Sequence, residues 1–358
     1  MSQAESSSQP SESLAASSES SESMPTPTVA AAAASDNARQ RRKIAALEEK
    51  LQVLEAGHMV KQRETNYFMS QGRAIRRIVT LFDDIEALIS ENDRRCDVGD
   101  DEVTIDQDHL QLGYIALNGV IPWFISKSAD MEYEDYAQML KKLRQGADSA
   151  RGDDTSKLKG LVPDWVNREF KPNPPVDHED KYSCGFVNDA CGKLLCPTEL
   201  DWNNLIVRAG IRDRADGYVV TEMSWPTFLY DKYTADQDNL QEGLFKSALL
   251  AFKAIFTSPS SAKEVDGEGD GANIIENNRR AKRDFSGKKV KTHVAQIIKM
   301  HKVSPRSIAY VACQLRFALS AVTSWRLVDG DFDYVQFWQI IVDFFEKAPG
   351  RVARRKVD

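Results

Sequence analysis

The sequence has little of what marks secreted, membrane or disulfide-rich proteins. Its five cysteines, an odd number in 358 residues, fit a reducing compartment better than a disulfide scaffold. No run approaches the ~18 apolar residues of a membrane span, and no apolar signal segment opens the chain. The 47 basic and 54 acidic residues give a net charge of −7, which excludes a uniformly basic nucleic-acid binder. We therefore expect an intracellular protein with no membrane association.

Sequence motifs of the common enzyme classes are also missing. The chain has no Gly-x-Ser-x-Gly motif, no Walker loop and no His-Glu-x-x-His motif, and its five histidines are scattered. An acidic nuclease or transposase triad stays open, because its members lie far apart in sequence, although such centres usually sit on strand-rich scaffolds. We favour a non-enzyme and expect no cofactor.

The two ends of the chain have little that could build a core. Twelve of residues 1–37 are serine, and no aromatic residue precedes Tyr67. Such a composition cannot bury enough apolar surface to offset chain entropy, which predicts a disordered tail over residues 1–37. Residues 347–358 are predicted to form a basic C-terminal tail.

A short leucine repeat follows the N-terminal tail. Its apolar residues are spaced 3, 4 and 3, which is the a/d pattern of a coiled coil: Ile44, Leu47, Leu51 and Leu54. The next a position is His58, so the pattern lasts about two heptads. We predict a short coiled-coil helix over residues 38–63, which either self-associates weakly or folds onto the body. The basic residues before it are too few to cross a DNA major groove.

Residues 67–346 are predicted to form a mainly α, multi-helix globular body. Ile75 to Ile89 carries one apolar stripe, with Arg76 and Arg77 outside it. Capping signals start further helices at Thr104 and at Ser304-Pro305. Further predicted helices are Glu134–Gln145, a short one from Pro163 to Phe170, an apolar helix from Leu244 to Phe256 and a terminal helix from Tyr334 to Phe345. Tyr218–Thr221 is the only strand candidate.

Several blocks of the body resemble a known family. They are Gly72–Arg77 with Leu81–Ile85, Arg151–Gly160, Gly243–Leu250 with Phe256–Ala262, and Gln314–Ser320 closing at Ser324–Arg326. Together they resemble a domain family of unknown function that is abundant in basidiomycete fungi, over about residues 70–346. That family has no established activity, ligand or catalytic residues, so the resemblance implies a fungal setting and nothing about mechanism.

An acidic, glycine-rich segment suggests a calcium loop. Asp266, Glu268 and Asp270 occupy loop positions 1, 3 and 5, and Gly271 occupies position 6. Position 12 should hold a bidentate Glu but is Asn277, and the acidic Glu276 comes one residue early. The alternative interpretation is a solvated Asp/Gly loop.

A histidine and three cysteines form a second metal candidate. Four soft ligands could complete a zinc tetrahedron: His178, Cys184, Cys191 and Cys196. No Cys-x-x-Cys knuckle is present to preorganise the ion, so free thiols are the alternative interpretation.

A basic patch lies between Arg279 and Lys302, where nine Lys or Arg residues accompany the single acid Asp284. Its two dense clusters are Arg279, Arg280, Lys282 and Arg283, then Lys288, Lys289 and Lys291. Such clusters indicate a nuclear import signal, a phosphate-contacting patch or a solvated linker. We therefore expect an interaction protein with protein partners, located in the nucleus rather than the cytoplasm. Metal binding and nucleic-acid association stay open as alternatives.

Overall fold

The computed structural model describes residues 27–98, 103–177, 179–247, 252–256, 294–298, 300 and 302–347. Within these residues the chain is mainly α-helical, which confirms the predicted fold class. The helices are α1 (Pro27–Ile78), α2 (Ile85–Val98), α3 (Ile105–Val120), α4 (Phe124–Ala129), α5 (Tyr133–Phe170), α6 (Asp189–Leu195), α7 (Leu205–Asp213), α8 (Phe252–Phe256), α9 (Val294–Ile297), α10 (Pro305–Leu319) and α11 (Tyr334–Glu346). Two short antiparallel strands, β1 (Val328–Asp329) and β2 (Phe332–Asp333), form a hairpin.

The chain divides into two units, one ending at Gln62 and the other beginning at Arg63. The buried apolar clusters of the described residues all lie in the second unit. Helix α1 begins at Pro27, within the predicted tail of residues 1–37 and before the predicted helix start at residue 38. It continues past the predicted end at residue 63 to Ile78, so the leucine repeat is part of a 52-residue helix.

Helix α10 is the centre of the larger apolar cluster. It begins where the sequence predicts, because Ser304 and Ser307 cap each other's backbone N–H groups in a capping box and Pro305 occupies the first turn. Every residue from Arg306 to Leu319 is buried, and the helix packs against α5 and α11. Leu315 on α10 and Phe337 and Ile341 on α11 are all buried in this cluster.

A second apolar cluster joins the C-terminal part of α1 to α2, α3 and the start of α5. Helices α1 and α5 approach closely at two glycines. A Cβ atom on Gly72 would overlap the carbonyl oxygen of Leu143, and one on Gly146 would overlap that of Met69. Only glycine permits this backbone separation, so the crossing of the two helices depends on both positions.

The predicted stripe from Ile75 to Ile89 is interrupted. Helix α1 ends at Ile78, and the Thr80 hydroxyl accepts hydrogen bonds from the backbone N–H groups of Phe82 and Asp83 in a turn that leads into α2. A threonine side chain offers the backbone this alternative to a helix. Arg76 and Arg77, which were predicted to lie outside the apolar stripe, are both buried.

The prediction of two separate helices, Glu134–Gln145 and Pro163–Phe170, is wrong because both lie in the single helix α5. Pro163 does not start a helix but lies within α5, which runs without a break from Tyr133 to Phe170. An interior proline costs about 3 kcal/mol through the lost hydrogen bond and the ring clash. The side chains of Leu158, Val162 and Val166 are completely buried around it, and their burial at roughly 1.5–3 kcal/mol each offsets that cost.

Two further predictions are wrong in detail. Leu244 and Phe245 lie in an irregular segment rather than a helix, and Phe245 has a positive φ of 61° and is only half-buried, as is Phe252. Tyr218–Thr221 forms no strand. The strands occur instead on either side of Gly330-Asp331, where Gly330 adopts the positive φ of 65° that a two-residue hairpin turn requires.

Candidate functional site

The leucine repeat of α1 is an exposed apolar surface. Seven large apolar side chains between residues 44 and 60 are each more than half exposed: Ile44, Leu47, Leu51, Val53, Leu54, Met59 and Val60. Four of them, Ile44, Leu47, Leu51 and Leu54, form one row along the helix, which we call the leucine stripe. Rows of exposed apolar side chains mark interaction surfaces on soluble proteins. A helix also gains most of its stability from packing of its apolar face, which makes this row a candidate binding surface.

The body contains a buried ion pair that links three of its helices. Arg77 on α1 donates two hydrogen bonds to Asp154 on α5, with Nε 2.7 Å from Oδ2 and Nη2 2.9 Å from Oδ1. The Tyr310 hydroxyl on α10 donates a third, at 2.8 Å. Burial, with the neighbouring carboxylate, raises the pKa of Tyr310 well above its usual value. Asp154 and its neighbour Thr155 both lie inside α5 and are buried.

Further polar contacts extend this network along α5 and α10. The Thr155 hydroxyl lies 3.2 Å from Oε1 of Gln314, and the Lys159 ammonium group donates to the Ser320 carbonyl oxygen. Each contact joins blocks that are far apart in sequence. Three of the blocks that carry the family resemblance, Gly72–Arg77, Arg151–Gly160 and Gln314–Ser320, are therefore neighbours in the fold, and polar contacts join them.

The structure brings two of the three candidate zinc cysteines together. Cys191 donates a hydrogen bond to Cys184, and that bond lowers the pKa of the Cys184 thiol. The same bond, together with burial, raises the pKa of Cys191. Cys196 lies in a different apolar cluster, beside Trp202, where burial raises its pKa to about 12. Among the described residues no three histidine, cysteine or acidic side chains are grouped as a metal site requires.

Several predicted site residues lie outside the described residues, and their roles stay predictions. They are the fourth zinc candidate His178, the calcium candidates Asp266, Glu268, Asp270 and Glu276, and the basic residues Arg279, Arg280, Lys282, Arg283, Lys288, Lys289 and Lys291. The basic C-terminal tail, residues 348–358, lies outside them as well.

A cleft of about 830 Å³ opens beside α3 and α10. Apolar and aromatic side chains line most of it, including Trp123, Ile298 and Met300. Two of the three charged residues at its wall are paired with each other, because Arg306 donates to both carboxylate oxygens of Glu346 at 3.0 Å; the third is Lys302. Arg306 also donates to the Val79 carbonyl oxygen at 2.8 Å. The cleft therefore has room for an apolar group, while its ion pair is already committed to the fold.

In the part of the chain that the structure describes, none of the helices combines the length and the apolar character that crossing a bilayer demands. Residues 145–357 match the model of a family of unknown function, DUF6698. The chain belongs to this family. The matched region begins within α5 and includes α6 to α11, whereas the Gly72–Ile85 block lies before it. No curated protein and no solved structure matches the chain.

The Arg77–Asp154–Tyr310 network was not predicted from the sequence. Arg77 and Asp154 belong to two of the blocks that carry the family resemblance. Nothing in their spacing shows that residues 77 positions apart form a pair. The available signal was helical spacing: Ala150 and Leu158, four residues on either side of Asp154, are buried, and a charged residue on a buried helix face must find a partner.

Proposed function

We propose that this member of the family is a non-enzymatic interaction protein inside fungal cells, located in the nucleus, with a protein-binding surface on α1. The observation that carries the proposal is the leucine stripe. Ile44, Leu47, Leu51 and Leu54 are each at least 55% exposed, although leucine and isoleucine are usually buried. Covering this row with a partner would remove the apolar surface from water, which is the main driving force of protein association.

The interior of the body supports a scaffold rather than a catalyst. Asp154 accepts three hydrogen bonds from Arg77 and Tyr310, and Arg306 is engaged by Glu346 and by the Val79 carbonyl oxygen. Such fully bonded groups specify a unique packing. A general base or nucleophile must instead reach a substrate.

The binding role is tested by replacing the stripe. A tagged chain that carries Leu47→Ser and Leu54→Ser is compared with one that carries Val53→Ser and Val60→Ser, which removes equally exposed apolar groups outside the stripe. Both proteins are cross-linked in native cell extract. We expect the stripe variant to lose the cross-linked species of the parent chain, while the control retains them. Equal cross-linking of the two variants would contradict the proposal.

The nuclear location rests on the basic clusters of the sequence. Import receptors bind Lys/Arg runs, and the sequence has such runs at Lys288–Lys291 and Arg354–Lys356. A fluorescent fusion much larger than the 40.2 kDa chain is expected to enter the nucleus, and Lys288→Gln, Lys289→Gln and Lys291→Gln together should weaken entry. A fusion with exposed Lys141 and Lys246 changed to Gln is the control. Cytoplasmic retention of the unmodified fusion would contradict the assignment.

A further inference from the structure

The charges beside the leucine stripe are arranged by sign. With Ile44 and Leu51 at a positions, the g positions just before them are Lys43 and Lys50. The e positions that follow the d residues Leu47 and Leu54 are Glu48 and Glu55. One edge of the stripe is therefore basic and the other acidic, and side chains at e and g set partner choice and orientation in coiled coils.

None of these four charges has an opposite charge three or four positions away on its own helix. No acidic residue lies three or four positions from Lys43 or Lys50, and no lysine or arginine lies three or four positions from Glu48 or Glu55. Pairs at those spacings are the ones that stabilise an isolated helix. The charge pattern therefore contributes little to α1 alone and becomes favourable only when a second helix lies along the stripe.

We propose that the occupant of the leucine stripe is a second copy of this chain, aligned parallel and in register. This inference rests on the proposed binding role of the stripe. In a parallel dimer each g side chain faces the e side chain five residues later on the other helix. Lys43 would then face the second copy's Glu48, and Lys50 the second copy's Glu55, which gives four opposite-charge pairs per dimer.

The antiparallel arrangement is disfavoured by the same residues. There g positions face g positions and e positions face e positions, so Lys43 and Lys50 of one helix would meet lysines, and Glu48 and Glu55 would meet glutamates. The side chains at the core positions agree with two parallel strands. Of the two apolar a positions, Ile44 with leucine at both d positions favours a dimer, whereas Leu51 is not β-branched and adds no such preference; Asn37 at the preceding a position is a residue that fixes register.

The dimer is expected to be weak and reversible. Only two a/d pairs on each helix are apolar, and the next a and d positions are His58 and Lys61. Stable coiled coils use three to four heptads or more. The e/g pairs therefore contribute a large share of the dimer's affinity and determine its orientation. Reversing their charges is a sensitive test of the dimer.

The test is a charge-reversal cycle on the full-length protein, with the dimer dissociation constant measured by sedimentation equilibrium. Lys43→Glu with Lys50→Glu turns all four pairs repulsive and should weaken dimerisation roughly 100-fold, since each exposed pair changes affinity by a few-fold. Glu48→Lys with Glu55→Lys should do the same. All four changes together restore opposite charges and should restore dimerisation. Arg42→Glu with Glu49→Lys, which changes charges at the outer f positions, is the control and should have little effect.

Orientation is tested separately with a cysteine introduced at the d position of the preceding heptad, Gln40→Cys, in a Cys96→Ser background. Under mild oxidation by glutathione disulfide, the two introduced thiols lie side by side only in a parallel, in-register dimer, so a disulfide-linked dimer is expected. The Cys96→Ser parent is the control. A dimer that fails to cross-link, or charge reversals without effect, would overturn the inference.

The failure of this inference can be distinguished from failure of the proposed function. A chain that stays monomeric at all concentrations, yet loses its cross-linked partners in extract through Leu47→Ser and Leu54→Ser, would overturn self-association alone. A chain that neither dimerises nor loses partners through those changes would overturn both.

Discussion

Replacing Asp154 tests whether the buried ion pair holds the body together. The side chains of Arg77 and Asp154 are 2% and 6% exposed, so Asp154→Asn leaves the Arg77 guanidinium charge buried without a counter-charge. Breaking a buried pair in this way costs about 3–5 kcal/mol, a large part of the roughly 5–15 kcal/mol that stabilises a typical domain. We expect the midpoint of urea denaturation to fall sharply.

The neighbouring residue is a matched control. Asp153 also pairs with an arginine, Arg73, at 2.6 Å, but its side chain is 66% exposed. An exposed pair contributes at most about 1 kcal/mol, so Asp153→Asn should leave the denaturation midpoint nearly unchanged. Changing Arg77→Met together with Asp154→Asn should cost less than the sum of the single changes, because the unpaired charge is gone. Equal effects of Asp153→Asn and Asp154→Asn, or strictly additive effects in the double variant, would refute the reasoning.

Three further predictions concern packing, pH and thiol exposure. Gly72→Ala should destabilise the protein by about 1–3 kcal/mol in urea denaturation, because the new methyl group overlaps α5, whereas Gly152→Ala, which meets nothing within 4 Å, should stabilise by up to about 1 kcal/mol. Hydrogen bonds from Arg94 and then Arg95 lower the pKa of Glu91 to about 2, so its contribution to stability is present above pH ~4.5 and is lost as the pH falls towards 2. Glu91→Gln should therefore flatten the acid side of the stability–pH profile, and an unchanged slope would contradict the assignment. Among the five cysteines only Cys96 is exposed, so a maleimide should label one thiol in the native protein and the rest after unfolding; several fast native thiols would argue against the packing.

The sequence predicts the helical class and several helix limits because those depend on local chemistry. Thr104 and Ser304 cap helices at the predicted residues, since a capping box needs only residues three positions apart. Pro163 shows the limit of such signals: its place inside α5 depends on the burial of Leu158 and Val162, which local patterns do not reveal. The hairpin around Gly330 was not predicted, although a glycine between two aspartates is a turn signal that the sequence carries.

The candidate site was likewise predictable from the sequence only where it depends on local spacing. The leucine stripe was predicted from its spacing alone, and its exposure is what the structure adds. The contact between Cys184 and Cys191 and the separate location of Cys196 depend on how α6 packs, which no spacing rule supplies. The pairing of Arg77 with Asp154 likewise depends on the crossing of α1 and α5, which is determined by backbone contact at Gly72 and Gly146.

Sedimentation equilibrium of the purified full-length chain over a wide concentration range tests the central claim most directly, because it measures association through the stripe without any other component. We predict that the mean mass of the parent chain rises from 40.2 kDa towards twice that value with concentration. The Leu47→Ser, Leu54→Ser variant should stay at 40.2 kDa, and the Val53→Ser, Val60→Ser control should follow the parent. A parent mass that does not change with concentration, or a stripe variant that associates as the parent does, would contradict the account.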